Sequence, residues 1–307
     1  MLRLVHVPGL ERLPGGFNAL PNQWQRLLGR AQPLASDPDW LARQLAGALP
    51  TEGMRTALAL PGDVEQDGWW LRFDPVVMQP DLTAVWIAHR LTIDFEHPQQ
   101  AALKTELQAM FDAEGLGCRW LGSAGCGVLR LEQPPAVAFT PLVDVFGQRL
   151  DEVLPSGDEA GRWQRLMTES QMIFQQFRAL DAPDQRGAGL WFWGGGGWIA
   201  PPASAGLTIV ATRPDPEFVG LARWLDTRLD DTPEAWLKPA ADRVLLHAPP
   251  DPRDPIASLD ALYHDWLQPL GARSMVIVGD RLAWRVRPWD RLRFWQRQLS
   301  NPGFGGD

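Results

Sequence analysis

Five histidines, His6, His89, His97, His247 and His264, are the side chains of this 307-residue sequence best suited to metal or proton chemistry. No two of them stand at H-x-H or H-x-x-x-H spacing. Ligands carried on one strand or one helical turn need such spacings. Each histidine therefore reads alone as a core or surface residue, and a joint role requires the fold to gather them from far apart. Gly122-Ser123-Ala124-Gly125 places a serine between glycines. Leu121 stands where a nucleophile elbow needs Gly, and the segment reads as a hairpin turn and not as strand–turn–helix. Cys118 and Cys126 lack C-x-x-C spacing and are expected as free thiols.

Binding chemistry has better candidates. The run Gly194 to Gly197 follows a strand-like LWFW and could present backbone N–H groups to an anion. It lacks the Gly-Lys-Ser/Thr and the following helix of a P-loop. Its other reading is a tight turn beneath Trp191, Trp193 and Trp198. Arg72 and Asp74 end a strand-like run before Pro75, where a carboxylate either meets a ligand or starts a turn. Glu169 and Gln171 lie beside the apolar stripe of a long helix, facing either a pocket or solvent. Aromatic walls with a few polar anchors suit a small organic molecule. The expected ligand-binding set is thus Arg72, Asp74, Glu169, Gln171, Trp191, Trp193, Gly194 and Gly195. No catalytic residue, metal ligand or cofactor is assigned. The rival reading is a metal-dependent phosphoryl-transfer enzyme that collects Asp74, Asp81, His89 and His247.

The elements that must position these residues follow from periodicity and breakers. Leu2 to Val7 reads as a strand, Asn22 to Ala31 as a helix, and Asp37-Pro38 as the start of a second helix. Met54 to Leu60, Trp69 to Phe73 and Leu82 to His89 read as strands. Pro98 opens a helix to about Glu114, with Leu103, Leu107 and Phe111 on one face. Cys118 to Leu121 and Cys126 to Leu131 form a hairpin, and Ala136 to Phe139 a short strand. Asp158 to about Leu180 is a helix that buries Trp163, Leu166, Ile173, Phe174 and Phe177. Strands at Leu207 to Thr212 and Arg243 to His247 alternate with helices at Pro216 to Leu229 and Ile256 to Leu267. Ser274 to Val278 and Leu282 to Val286 make a second hairpin before a helix from Trp289 to Leu299. This alternation predicts an α/β fold: a mixed, mostly parallel sheet with helices on both faces and antiparallel hairpins. One domain over residues 1–300 with a Gly-rich tail over 301–307 is expected. Gly194 to Gly206 is the one candidate boundary.

Composition narrows the function classes. Apolar residues make up 45% and charged residues 21%, which predicts an ordered globular chain. The net charge of −8 disfavours nucleic acid as a partner. Gly279 to Leu299 runs against this balance, with six arginines and two aspartates. As a basic amphipathic helix it either docks on the acidic remainder of the chain or binds an anionic partner. No run of 18 apolar residues occurs, and MLRLVHVPGL is broken too early for a signal peptide, so no membrane partner is expected and the default location is the cytoplasm. A small-molecule ligand or a protein is the expected partner.

Several segments together resemble one family. They are Gly68-Trp69-Trp70-Leu71-Arg72-Phe73-Asp74-Pro75-Val76, then WQRLMTESQM from Trp163 to Met172, then LWFWGGG from Leu190 to Gly196, then Trp289 to Trp295. The chain resembles the RpfE-type regulatory protein family of proteobacteria, whose members often carry a phosphoglycerate-mutase-like label. The resemblance implies a regulatory protein on a degenerate alkaline-phosphatase-like fold. It departs from the family pattern at Val77, where a His is expected, and over Asp184 to Gly189, where an Asn-rich stretch is expected. A metal-dependent mutase would need Asp and His clusters for two metal ions, and a Ser or Thr nucleophile. The paired-His motif has no counterpart here, and His6-Val7-Pro8-Gly9 occupies the opening position.

Overall fold

A computed structural model describes residues 1–13, 15–34, 40–45, 48–62, 64–177, 187–202, 206–213, 215–251 and 254–292. The chain forms two compact units. One comprises Met1–Leu49, Pro201–Phe218 and Leu225–Asp307, the other Pro50–Ala200 and Val219–Trp224. The passage at Ala200/Pro201 falls within the Pro/Gly-rich stretch noted in the sequence.

Along the chain, β1 (Leu2–His6), α1 (Asn22–Arg30), β2 (Gln32–Pro33) and α2 (Trp40–Leu45) open the first unit. The second unit holds α3 (Glu52–Ala59), β3 (Trp69–Pro80), β4 (Val85–Arg90), α4 (Ala101–Ala113), β5 (Gly117–Leu121) and β6 (Cys126–Leu131). It continues through α5 (Leu142–Val145), α6 (Leu150–Val153), α7 (Ala160–Gln176) and β7 (Ala188–Gly197). Then come β8 (Leu207–Ala211), α8 (Pro216–Trp224), β9 (Leu229–Asp230), α9 (Pro233–Leu237), β10 (Arg243–His247), α10 (Pro255–Leu262), β11 (Met275–Val278) and β12 (Ala283–Val286).

The first unit is built on a seven-stranded sheet in the order β2-β12-β11-β1-β10-β8-β9. Its strands β1, β8, β9, β10 and β11 run parallel, and β12 and β2 extend it antiparallel. Val5, Val210, Val244, Leu246 and Ile277 of one face pack against Trp24 and Leu28 of α1 and Leu259 and Leu262 of α10. Leu4, Ile209 and Leu245, of opposite parity, are also fully buried. A sheet buried on both faces needs such near-continuous apolar strands. Buried tryptophans find acceptors for their indole N–H: Trp24 donates to Leu259 O (2.7 Å) and Trp236 to Trp266 O (2.9 Å).

The second unit is built on an antiparallel sheet in which β3 pairs with β4 and β6 along one edge and β7 along the other. Alternation along β3 and β7 sends Phe73 and Phe192 to one face, where Phe192 meets Phe111 of α4 and Trp163 of α7 edge to ring and Phe73 meets Phe111 at a tilt. The mixed α/β class, with one mostly parallel sheet flanked by helices and separate antiparallel hairpins, is as the alternation predicts.

Five local expectations change. Met54 to Leu60 is not a strand; it lies in α3 and the turn after it. A short apolar run fits either element by periodicity. Here Ala57 and Ala59 favour helix, and Arg55 reaches back to Glu52 at i−3 (2.8 Å). Ala136 to Phe139 makes only one bridge, Ala138 to Ser156. The helix from Pro216 ends at Trp224, before the short strand β9. The glycine run Gly194 to Gly197 is not a loop after a strand but the last part of β7. Of the expected C-terminal helix, Pro288–Leu292 is a 3-10 turn, and the rest, like the 301–307 tail, lies outside the described residues.

Gly53 shows why α3 can lie so close to the sheet. A Cβ there would sit 2.4 Å from Trp70 O and 2.8 Å from Gly194 O. Both are backbone atoms held in strands, so neither can yield cheaply. Gly53→Ala is expected to destabilise by about 1–3 kcal/mol through overpacking, despite the better helix propensity of Ala. A urea midpoint equal to or above the parent's would refute this close-approach account.

Candidate functional site

The structure brings three of the sequence-selected residues together inside the second unit. Arg72 and Asp74 are two apart on β3, so they share a face, and the register places Trp193 of β7 opposite Arg72. Arg72 Nε and Nη2 donate to the two carboxylate oxygens of Asp74 at 2.7 and 3.1 Å. Arg90 Nη2 lies 2.7 Å from the same carboxylate, and Trp193 Nε1 donates to it at 2.7 Å. Arg72 Nη1 also donates to Thr56 Oγ1 of α3 at 3.2 Å, and its guanidinium lies 5.0 Å from the Trp193 ring centroid. Arg72 is 1% and Asp74 0% exposed. Burial by itself raises the Asp74 pKa, but Arg72, Arg90 and the hydrogen bonds from Arg72 and Trp193 outweigh it and hold the carboxyl below its ordinary value. Both carboxylate oxygens are engaged by neighbours within the unit. Thr56 and Arg90 complete this network and were not singled out in the sequence, because nothing local marks them.

The other selected residues stand around this network in different ways. Trp191 is fully buried and donates to Thr140 O at 3.0 Å. Glu169 is exposed on α7, whereas Gln171 turns inward and donates to Met78 Sδ at 2.8 Å. A Cβ on Gly195 would overlap the Trp69 ring at 1.8 Å, and Gly194 takes a positive φ of 64° beside Glu52. The two glycines thus let β7 pass close beneath Trp69 and α3.

Residues of the rival phosphoryl-transfer set are dispersed. Asp81 accepts from Thr83 N, Ala84 N and Trp86 Nε1 at 2.7, 2.8 and 2.6 Å. The Thr83 and Ala84 backbone bonds, with Trp86, draw its pKa down to about 2. This carboxylate is occupied in shaping the turn between β3 and β4. His89 is exposed on β4. His247 belongs to the other unit, where the parallel register sets it beside His6 at the carboxyl ends of β10 and β1. The two Nδ1 atoms lie 3.1 Å apart, and the His247 ring stacks on Phe218 at 3.6 Å. Asp215 Oδ2 lies 4.0 Å from His247 Nε2. Among the described residues, no three His, Cys, Asp or Glu side chains gather into a metal-binding group.

The carboxyl edge of the parallel sheet carries a second feature. Ligands of open α/β sheets bind outside the carboxyl ends of the strands. A cavity of about 250 Å³ opens there, lined by Thr212 and Arg213 after β8, Ala248 to Asp251 after β10, Ser258 of α10, and Asp265 and Trp266 of the following π-helical turn. Arg213 Nη2 donates to Pro249 O at 2.8 Å and Nη1 lies 3.5 Å from Asp251 Oδ2, tying the two loops. Asp251 N donates to Ser258 Oγ at 3.0 Å. These residues were missed in the sequence, although charged residues directly after strand ends were a signal to read.

No family model and no curated protein matches the chain. Among the solved structures that resemble it are two that cover most of both chains. One is a cofactor-independent phosphoglycerate mutase from Thermoplasma acidophilum, at 19% identity and TM-score 0.39, covering 93% of this chain and 89% of that one. The other is the PH0037 protein from Pyrococcus horikoshii, at 13% identity and TM-score 0.46, covering 93% and 87%. Neither likeness is close enough to bring the chemistry of those proteins to this chain. No helix among the described residues is long and apolar enough to cross a membrane.

Proposed function

We propose that this chain is a regulatory protein that binds a small polar molecule in the cavity at the carboxyl ends of β8 and β10. The observation that carries the reading is that cavity, with Arg213, Asp251, Ser258, Asp265 and Trp266 on its walls. Its volume of about 250 Å³ suits a ligand smaller than drug-sized molecules, whose sites run to about 300–1,000 Å³. The Arg72–Asp74–Trp193 network then serves to lock the second unit, and no ligand contact is assigned to it.

Metal-assisted phosphoryl transfer fits the donors at this sheet edge poorly. Two metal ions need clustered carboxylates and imidazoles. Glu11 instead accepts from the backbone N–H groups of Asp280, Arg281 and Leu282 at 2.9, 3.1 and 2.8 Å. Asp280 accepts from Gly9 N at 3.0 Å and pairs with Arg12 at 3.2 Å. Both carboxylates are used to fasten loops. The contact between His6 and His247 is the one observation favouring the enzymatic reading.

Elemental analysis and calorimetry separate the two. Protein purified without chelators or affinity metals is expected to be metal-free and to bind members of a small-metabolite collection saturably at one site. Ala261→Trp, which fills the cavity from an exposed position on α10, is expected to abolish that binding without lowering the thermal midpoint. One or two equivalents of zinc or manganese, with a phosphatase activity lost in His247→Ala, would overturn the proposal in favour of the enzyme.

A further inference from the structure

We infer that the ligand of this cavity is a small ammonium compound, held by Asp265 and the indole face of Trp266. The inference rests on the cavity being the binding site, as proposed above, and adds the chemical class of what it takes.

The argument is one of donors and acceptors. An anion site at strand ends works by aiming backbone N–H groups at the ligand. Here most of those groups are missing or already used. Pro249 and Pro250, directly on the wall, have no N–H at all. Thr212 N donates to His247 O at 3.0 Å and Ala248 N to His6 O at 2.9 Å. Asp251 N is taken by Ser258 Oγ. Arg213, the one cation among the described residues of the wall, is turned to the Pro249 carbonyl and to Asp251. What is left over is acceptor capacity. Among the described residues of the wall, Asp251 is paired with Arg213, and Asp265 is a second carboxylate. The Asp265 carboxylate makes no hydrogen bond or ion pair to a described residue. Trp266 follows it, with a π-face, the surface to which a cation is drawn. A ligand that brings N–H donors and positive charge completes such a wall. One that brings phosphate or carboxylate meets repulsion and few donors.

Isothermal titration of the full-length chain with n-butylamine, n-butanol, butyrate and inorganic phosphate tests this at pH 7. n-Butylamine is expected to bind saturably, and the other three are not expected to bind at tenfold higher concentration. Asp265→Asn is expected to weaken the amine at least tenfold, and because Asp265 is exposed the variant keeps the parent's thermal midpoint. Butyrate or phosphate binding as tightly as the amine, blocked by Ala261→Trp but indifferent to Asp265→Asn, overturns the ammonium class and leaves the small-ligand site standing. Amine binding unaffected by both substitutions places the amine elsewhere and overturns the inference. Absence of saturable binding by every probe up to 100-fold excess overturns both the inference and the reading of the cavity beneath it.

Discussion

Asp74→Asn is expected to lower stability by about 3–5 kcal/mol, the cost of removing one partner of a buried ion pair. For a unit of this size that corresponds to a fall of roughly 6–20 °C in thermal midpoint. The substitution keeps the shape of the side chain and removes only its charge. Arg72, 1% exposed, then keeps a positive charge in the interior with no carboxylate against it. Arg90, partly exposed, can turn to water, so the loss falls mainly on Arg72. Thermal unfolding followed by circular dichroism measures the effect. A variant within about 2 °C of the parent would show that the network is dispensable.

The same carboxylate fixes a pH dependence. The two arginines and the hydrogen bonds hold the Asp74 pKa below its ordinary value in the folded chain, against the upward push of burial. The unfolded chain has the ordinary value, ~3.9. A group depressed on folding contributes its stability in full above the unfolded pKa and loses it as pH falls through the folded one. The stability difference between parent and Asp74→Asn is therefore expected to be constant above about pH 5 and to shrink as pH falls below ~3.9. A difference that grows on acidification would mean that Asp74 is not ionised in the native state.

Trp193→Ala is expected to cost about 3–5 kcal/mol, as deletion of a large buried aromatic does. The sequence left two readings open for this residue: a ligand-binding side chain, or one that covers a tight glycine turn. Trp193 is 5% exposed and packed in the core of the second unit. Its indole N–H donates to Asp74, and its ring lies against Arg72. Trp193→Phe restores much of the packing but not the N–H, so it is expected to recover part of the loss and leave about 1.5–3 kcal/mol, the worth of one hydrogen bond to a charged group, while Arg72 still holds the same oxygen. A double-mutant cycle with Asp74→Asn is expected to be non-additive, because the two residues share a bond. Strict additivity would separate the tryptophan from the network.

The sequence by itself determined much of the local structure. The stripe of Trp163, Leu166, Ile173 and Phe174 buries one face of α7, and short strand-like runs on either side of turn residues mark the β5–β6 and β11–β12 hairpins. Alternation of strand and helix gave the mixed α/β class. These features are legible because a regular element repeats its burial pattern within a few residues. Met54 to Leu60 escaped for the same reason, being too short to show its period. Arg72 and Asp74 also stood out, as a charged pair at the end of a strand-like run, although β3 continues past them to Pro80.

Only the tertiary structure decided which partners those were. Arg90 lies 16 residues beyond Asp74 in sequence, and Trp193 lies 119 beyond it. They meet the carboxylate because β3 is paired on both edges, with β4 bringing Arg90 and β7 bringing Trp193. The cavity depends on strand order in the same way. β10 lies between β1 and β8, which sets the loop carrying Arg213 beside the one carrying Asp251 and beneath α10. Chain-local pattern encodes which face of an element is buried, but not which distant element covers it. Convergence of loops is a property of the sheet's connectivity, so it has no signature in any one stretch of sequence.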